Sequence, residues 1–223
     1  MNIILSHPID ENTPMYGGKK GFVSKNKSSI KNGDSANTSI WKLPNHLGTH
    51  IDFPYHFYDN GQTIDDFTAD FWILDGKEIQ ILNVNIPKND LLIKIEHIKN
   101  QKLNRSSKFL ILKTGFSKYR DQQKYWKYNP GLSIEASKWI RKKFKNIKIF
   151  GLDSISVSSW QHRKEGRIVH KNLLNPTKPI LIIEDMDLSN VSDNTIFKKI
   201  YIAPLRVSKT DGSPCMILAE VKS

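Results

Sequence analysis

A chain of 223 residues with 38% hydrophobic and 10% aromatic side chains can bury one substantial core, which excludes a disordered tail. Its 34 Lys and Arg against 22 Asp and Glu leave a formal net charge of +12, but the lysines are spread along the chain. A solvated lysine-rich surface, or a field that draws in anionic substrates, accounts for this better than nucleic acid, and no nucleic-acid partner is expected.

The single cysteine, Cys215, excludes an intrachain disulfide and a thiolate zinc cluster, and fits a reducing cytoplasm. Nothing near it marks it as an activated nucleophile. No window approaches the roughly 18 apolar residues of a membrane span. Residues 1–7 lack the basic start and apolar stretch of a signal peptide, so the expected location is the cytoplasm.

In chain order, residues 79–82 read as a strand. Asn89 and Asp90 are placed to open a helix with Leu92, Ile95 and Ile98 inward. Residues 109–112 form a short, continuous apolar run, the pattern of a strand covered on both faces. After Pro130 and Gly131, Ser133 is a candidate cap for a helix carrying Ala136, Trp139, Ile140 and Phe144 on one side. The densest basic stretch, residues 141–148, overlaps the end of that helix, where the dipole favours cations. Residues 147–150, 180–183 and 201–203 are further strands. Strands alternating with helices predict an α/β or mixed α+β fold, with residues 1–223 as a single domain.

The chemistry concentrates in residues 46–56. Three of the seven histidines, His46, His50 and His56, fall there with Asp52, all at even positions. In an extended chain even positions share a face, which sets His50 and Asp52 side by side, about 7 Å apart at Cα. The i, i+4 spacing of His46 and His50 also suits a helix, but Gly48, Thr49, Ile51 and Pro54 argue for a strand or loop. Along a straight strand His46 would stand about 13 Å from His50. Either the chain bends at Gly48, or two metals are present with Asp52 between them.

Imidazole and carboxylate donors suit zinc, manganese or iron(II), and a site without thiolates is of the catalytic kind. More distant ligands are needed. Glu184 follows the apolar run 179–183, where a carboxylate is costly unless paired or metal-bound, with Asp185 and Asp187 as competitors. His170 is another candidate, with His162 as its competitor. Among the nearby aromatics, odd-numbered Phe53 and Tyr55 are expected to face the core, leaving Phe57 or Trp72 as a pocket wall.

The pattern His46-x-Gly-Thr-His50-x-Asp52-x-Pro54-x-His56-Phe57 resembles the signature of the cyclase family of metal-dependent hydrolases, which includes bacterial kynurenine formamidases and isatin hydrolases. The resemblance extends over most of the chain. It takes in Leu5 to Ile9 with Thr13 and Pro14, Thr114 to Phe116, Tyr125, Pro130 to Ser133, Gly151 to Ser154 with Ser156, His170 to Leu174, Ile182 to Glu184, and Asp211 to Pro214.

The resemblance implies that His46, His50, Asp52, His170 and Glu184 are metal ligands for one or two divalent ions, zinc foremost and manganese also suitable. It implies that His56 is the general base or acid. It implies a mixed α/β domain of the swivelling β/β/α kind, assembled as a homodimer or homotetramer. The implied reaction is hydrolysis of a C–N bond in a small aromatic amide, formamide or lactam. Arylformamidase action is the leading reading and isatin-type ring opening the second. An accessory protein that binds metal without turnover is a third reading, against which the intact His56 argues. The chain departs from the family pattern at Phe116, often Trp; at Tyr16, often Pro; at Asp185, often Asn; and at Cys215 and Met216, where Arg is often found second. These flanking positions bear on the substrate rather than on the ligands.

Overall fold

The apolar runs meet at the centre of one mixed sheet. The computed structural model describes residues 1–87 and 90–222. Its strands are β1 (Asn2–Ile4), β2 (Val23–Ser28), β3 (Thr38–Lys42), β4 (His50–Asp52), β5 (Ile73–Asp75), β6 (Ile79–Asn83), β7 (Leu92–Ile93), β8 (Phe109–Lys113), β9 (Gly131–Leu132), β10 (Ile149–Leu152), β11 (Leu181–Glu184), β12 (Phe197–Pro204) and β13 (Gly212–Val221). The helices are α1 (Lys124–Lys127), α2 (Ile134–Lys143) and α3 (Arg163–Leu173).

The nine-stranded sheet runs β5-β12-β13-β4-β11-β10-β8-β6, with β1 also paired to β13. The segment β6-β8-β10-β11 is parallel, and every pairing on the other side of β11 is antiparallel. This is the mixed α+β class expected. Two cores flank the sheet. In one, Ile111, Ile149 and Ile183 of the parallel strands pack with Ile200 and Ile217 of β12 and β13, so the antiparallel strands curl over that face. In the other, Leu110, Phe150 and Ile182 pack against Ala136 and Ile140 of α2 and Val169 and Leu173 of α3. Each such buried aliphatic side chain contributes roughly 1.5–3 kcal/mol, which anchors α3 on the sheet.

The Ser133 hydroxyl caps α2, accepting from Ala136 N at 3.1 Å. Ala136, Ile140 and Phe144 are buried and Trp139 is half-buried. The helix expected from Asn89 and Asp90 does not form over the described part of that segment; Asn89 itself lies outside the described residues. Instead the Asp90 carboxylate accepts from Leu92 N at 3.1 Å, Leu92 and Ile93 pair with β9, and a 3-10 turn follows over Ile95–His97. A local Asx turn at the start has captured the backbone that a helix would need. No helix among the described residues is long and apolar enough to cross a membrane.

Candidate metal centre and active site

The short strand β4 sits between β11 and β13. On one side His50 lies opposite Glu184 and Asp52 opposite Ile182; on the other, Asp52 lies opposite Gly212. Strand alternation therefore puts His50, Asp52 and Glu184 on one face and Ile51 in the core. Gly48, at φ 64°, turns the chain back between His46 and His50, so the two rings stand 5.2 Å apart at their centroids. The expected bend at Gly48 is thus present. The His46 ring lies over Gly212, where a Cβ would come within 2.3 Å of it. Helix α3 delivers His170 from the layer above.

His50, Asp52, His170 and Glu184 are all buried and converge on one point. His50 Nε2 is 3.4 Å from Asp52 Oδ1 and 3.5 Å from Glu184 Oε2. His170 Nε2 is 3.6 Å from Asp52 Oδ2 and 3.5 Å from Glu184 Oε1. These separations exceed a normal hydrogen bond. They run to different oxygens of each carboxylate, so the two imidazoles and the two carboxylates alternate around a ring. The far sides of the rings are engaged as well: His50 Nδ1 bonds Gly48 O at 2.8 Å and His170 Nδ1 bonds Gly166 O at 2.9 Å. A carbonyl accepts only, so each Nδ1 carries a proton and each Nε2 faces the carboxylates at the centre, where a bound cation would take the place of its proton.

Electrostatics agree with that fit. Burial pushes His50 and His170 down, but Asp52 and Glu184 outweigh it, raising His50 and taking His170 up to about 10. Burial pushes the Asp52 carboxyl up, yet His46 and the neighbouring imidazoles hold it well below the usual range. A pocket that draws positive charge this strongly, through nitrogen and oxygen donors, fits a divalent cation. Glu184 is fixed from behind: its Oε1 accepts from Ser156 Oγ at 3.0 Å and Val157 N at 2.7 Å.

A second group stands beside the first. His46 donates from Nδ1 to Asp52 Oδ1 at 2.8 Å and from Nε2 to Asp211 Oδ2 at 2.9 Å. Burial lowers its pKa, but the two carboxylates win and raise it to about 10. His46 joins the buried cluster only by giving up its bond to Asp52. Asp211 also bonds His56 Nδ1 at 2.9 Å, so it holds both rings. The two histidines pull the Asp211 carboxyl well below its ordinary range. His56 itself is lowered, chiefly by burial, and so is neutral near pH 7. Potential ligand atoms of His46, Asp52 and His56 lie within 4.8 Å of one another, as do those of His50, Asp52 and Glu184. Asp52 belongs to both sets, and His170 to neither.

The six site residues singled out in the sequence thus lie around one cavity of about 350 Å3. Their competitors do not. His162 is exposed, Asp187 faces His7 at 3.8 Å, and Asp185 turns away from the cavity. Asp185 adopts φ 54°, a left-handed backbone held by a two-nitrogen clamp from Arg120 and a hydrogen bond from Tyr125. Phe57 does form a pocket wall, stacked on His170 at 4.9 Å. Trp72 does not: it packs with Phe53, Phe67 and Phe71. Phe53 is fully buried as expected, but Tyr55 is 44% exposed, because Pro54 starts a 3-10 turn and ends the strand alternation. Cys215 is buried and its thiol is pushed up by burial, so it is no nucleophile at neutral pH.

Asp211 is the functional side chain that residue spacing did not single out. Its signal was the Asp-Gly-Ser-Pro sequence over residues 211–214, in which Gly212 makes room for the His46 ring. Ser156 and the arginines of α3 were likewise not assigned roles.

Fold and site together define a cyclase-type domain with a histidine- and carboxylate-lined cavity that could hold a metal ion. The family described as "Putative cyclase" matches residues 3–159, and the chain belongs to that family. It is 25% identical over 227 residues to Cyclase-like protein 2 of Oryza sativa subsp. japonica, covering 96% of this chain and 78% of that protein. It is also 25% identical over 213 residues to a kynurenine formamidase of Bacillus cereus, covering 95% and 93% of the two chains. Among solved structures, isatin hydrolase A from Labrenzia aggregata superposes with a TM-score of 0.77 at 19% identity, over 100% of this chain and 94% of that one. The shared fold is therefore that of the cyclase family.

Proposed function

We propose that the chain is a metal-dependent hydrolase that cleaves the C–N bond of a small aromatic amide, formamide or lactam, with arylformamidase action as its reaction. The observation that carries this reading is the buried quartet His50, Asp52, His170 and Glu184. Each imidazole Nε2 stands 3.4–3.6 Å from one oxygen of each carboxylate, while both ring Nδ1 atoms are tied to backbone carbonyls. His46 would join it as a ligand by exchanging its hydrogen bond to Asp52 for the ion. Zinc fits the donor set best and manganese also suits it, as one ion or two.

When bound, a divalent ion lowers the pKa of water and stabilises negative charge on a carbonyl oxygen. The remaining work falls to the protein. Asp211 orients His56 by accepting from Nδ1, which leaves Nε2 free to take a proton from water and return it to the leaving nitrogen. Phe57, stacked over His170, offers a flat apolar wall to an aromatic substrate. The kynurenine formamidase and isatin hydrolase relatives act, by name, on compounds of this type.

Self-association to a homodimer or homotetramer is supported by the β2–β3 hairpin, which leaves Val23, Ile40 and Trp41 53%, 57% and 66% exposed. The single buried thiol is in keeping with a cytoplasmic location. The reading is tested by metal analysis of the purified protein combined with turnover of N-formylkynurenine, formanilide, isatin and simple carbamates. Bound stoichiometric metal with formamide cleavage is expected. Metal-replete protein that hydrolyses none of the four would overturn the reaction assigned.

A further inference from the structure

The cavity above the metal centre has a second, cationic end that the hydrolytic chemistry does not use. Helix α3 carries His170 and, on the same face at i−3 and i−7, Arg167 and Arg163. Both arginines line the cavity with His170. At 1.5 Å per residue, their Cα atoms lie about 4.5 and 10.5 Å along the axis from that of His170. That span suits one aromatic ring with substituents at both ends.

Neither guanidinium is in an ion pair among the described residues. The nearest acid in sequence, Glu165, points elsewhere and accepts from Ile134 N at 3.1 Å. The only carboxylates lining the cavity are Asp52 and Glu184, both engaged in the histidine cluster. Arg163 is pre-positioned: its guanidinium lies 4.4 Å from the Trp160 ring, and Trp160 packs edge-on to Tyr16 at 5.1 Å. Tyr16 completes this wall, and its hydroxyl is buried without a hydrogen-bond partner. The charges of Arg163 and Arg167 both reach that hydroxyl, opposing the rise in its pKa caused by burial and by Glu184. The two solvated guanidiniums carry no competing carboxylate, and the one buried, unsatisfied group on this wall is the Tyr16 hydroxyl, so the wall offers donors to an anion.

We propose that Arg163 and Arg167 form an anion subsite, so that the substrate is an aromatic amide carrying a carboxylate on the side of the ring away from the scissile bond. The proposal rests on the hydrolase reading for the position of that bond, while the subsite itself is a matter of binding. The carboxylate is held at the outer end of α3, which directs the opposite end of the ring towards His170 and His56. The helix is fixed against the segment that follows β10 at this point, because Gly166 abuts Ser158 so closely that a Cβ would meet its Oγ at 1.9 Å.

The test is a binding titration of the metal-loaded protein with 4-aminobenzoate and its neutral ring-matched partner 4-aminobenzamide. Both are product-like amines, so binding is read without turnover. The native chain is expected to prefer the carboxylate at least about tenfold, a difference of about 1.4 kcal/mol. The preference should weaken with salt and fall to less than about twofold in R163Q/R167Q, whose side chains are exposed and leave the core untouched. Equal affinities in the native chain, or a preference that survives in R163Q/R167Q through direct carboxylate–metal contact, would overturn the subsite. Formanilide turnover, followed in parallel, reports on the hydrolase reading alone. Absence of turnover across all four compounds named above, with the preference intact, sinks that reading and leaves the subsite standing.

Discussion

The two halves of the site are built differently. The inner half, His50, Asp52, His170 and Glu184, is buried, and both of its imidazoles are fixed by backbone carbonyls. The outer half, His46, His56 and Asp211, is part-exposed, and its rings are held by a side-chain carboxylate, Asp211, that is itself 33% exposed. A backbone carbonyl cannot titrate, so it keeps the proton on Nδ1 and the ring in one orientation at every pH. A carboxylate partner stabilises an imidazolium and lets a proton come and go. In the proposed reading the inner half holds the cation, His46 joins it as a further ligand, and His56 with Asp211 moves protons.

Breaking the inner half should have the largest effect. His50→Ala or Glu184→Gln leaves the remaining buried charges uncompensated, and metal affinity should fall by more than about 100-fold in a chelator competition. Asp211→Asn should lower turnover on the order of 10²-fold with metal content unchanged. It should also move the acidic limb of the kcat/KM profile. Burial places His56 below its ordinary 6.5, and activity requires the neutral ring, so activity rises as pH climbs through that pKa. Asp211 pushes the pKa of His56 back up, and its loss should shift the limb to lower pH. A limb that stays put, or moves up, would show that Asp211 does not act on His56.

A smaller effect separates the metal-free from the metal-loaded protein. His46 and His170 are raised to about 10 in the folded chain, against 6.5 for the unfolded one. Their contribution to stability is complete below 6.5 and is lost as pH rises through about 10. The melting temperature of the metal-free protein should therefore fall over this window relative to that of the loaded protein. Parallel curves would contradict the arrangement. Smallest is Ser156→Ala: Val157 N still holds Glu184, so metal affinity should drop by no more than about tenfold.

The same division governs what the sequence revealed. Strands β8, β10 and β11 are buried along their length, and their unbroken apolar runs were legible for that reason. His50 and Asp52 followed from strand alternation, and Glu184 from a carboxylate at the end of a buried run. The hydrophobic period of α3 was masked: between Arg163 and Leu173 most positions are charged or polar, and Gly166 supplies contact without a side chain. The choice of His170 over its competitor His162 therefore came from resemblance to the family and not from the pattern. Asp211 was hidden for a related reason, since its partners lie 155 and 165 residues away and only the pairing of β4 with β13 brings them together. The helix expected near residue 90 failed because the Asp90 side chain bonded the backbone first.

The division of labour is tested most directly by measuring bound metal and formanilide turnover on the same preparations of His56→Ala and His170→Ala. His56→Ala is expected to retain full metal and lose turnover on the order of 10²–10⁴-fold, whereas His170→Ala should lose metal and turnover together. Loss of metal from His56→Ala, or full metal in His170→Ala, would contradict the separation of a cation-holding half from a proton-moving one.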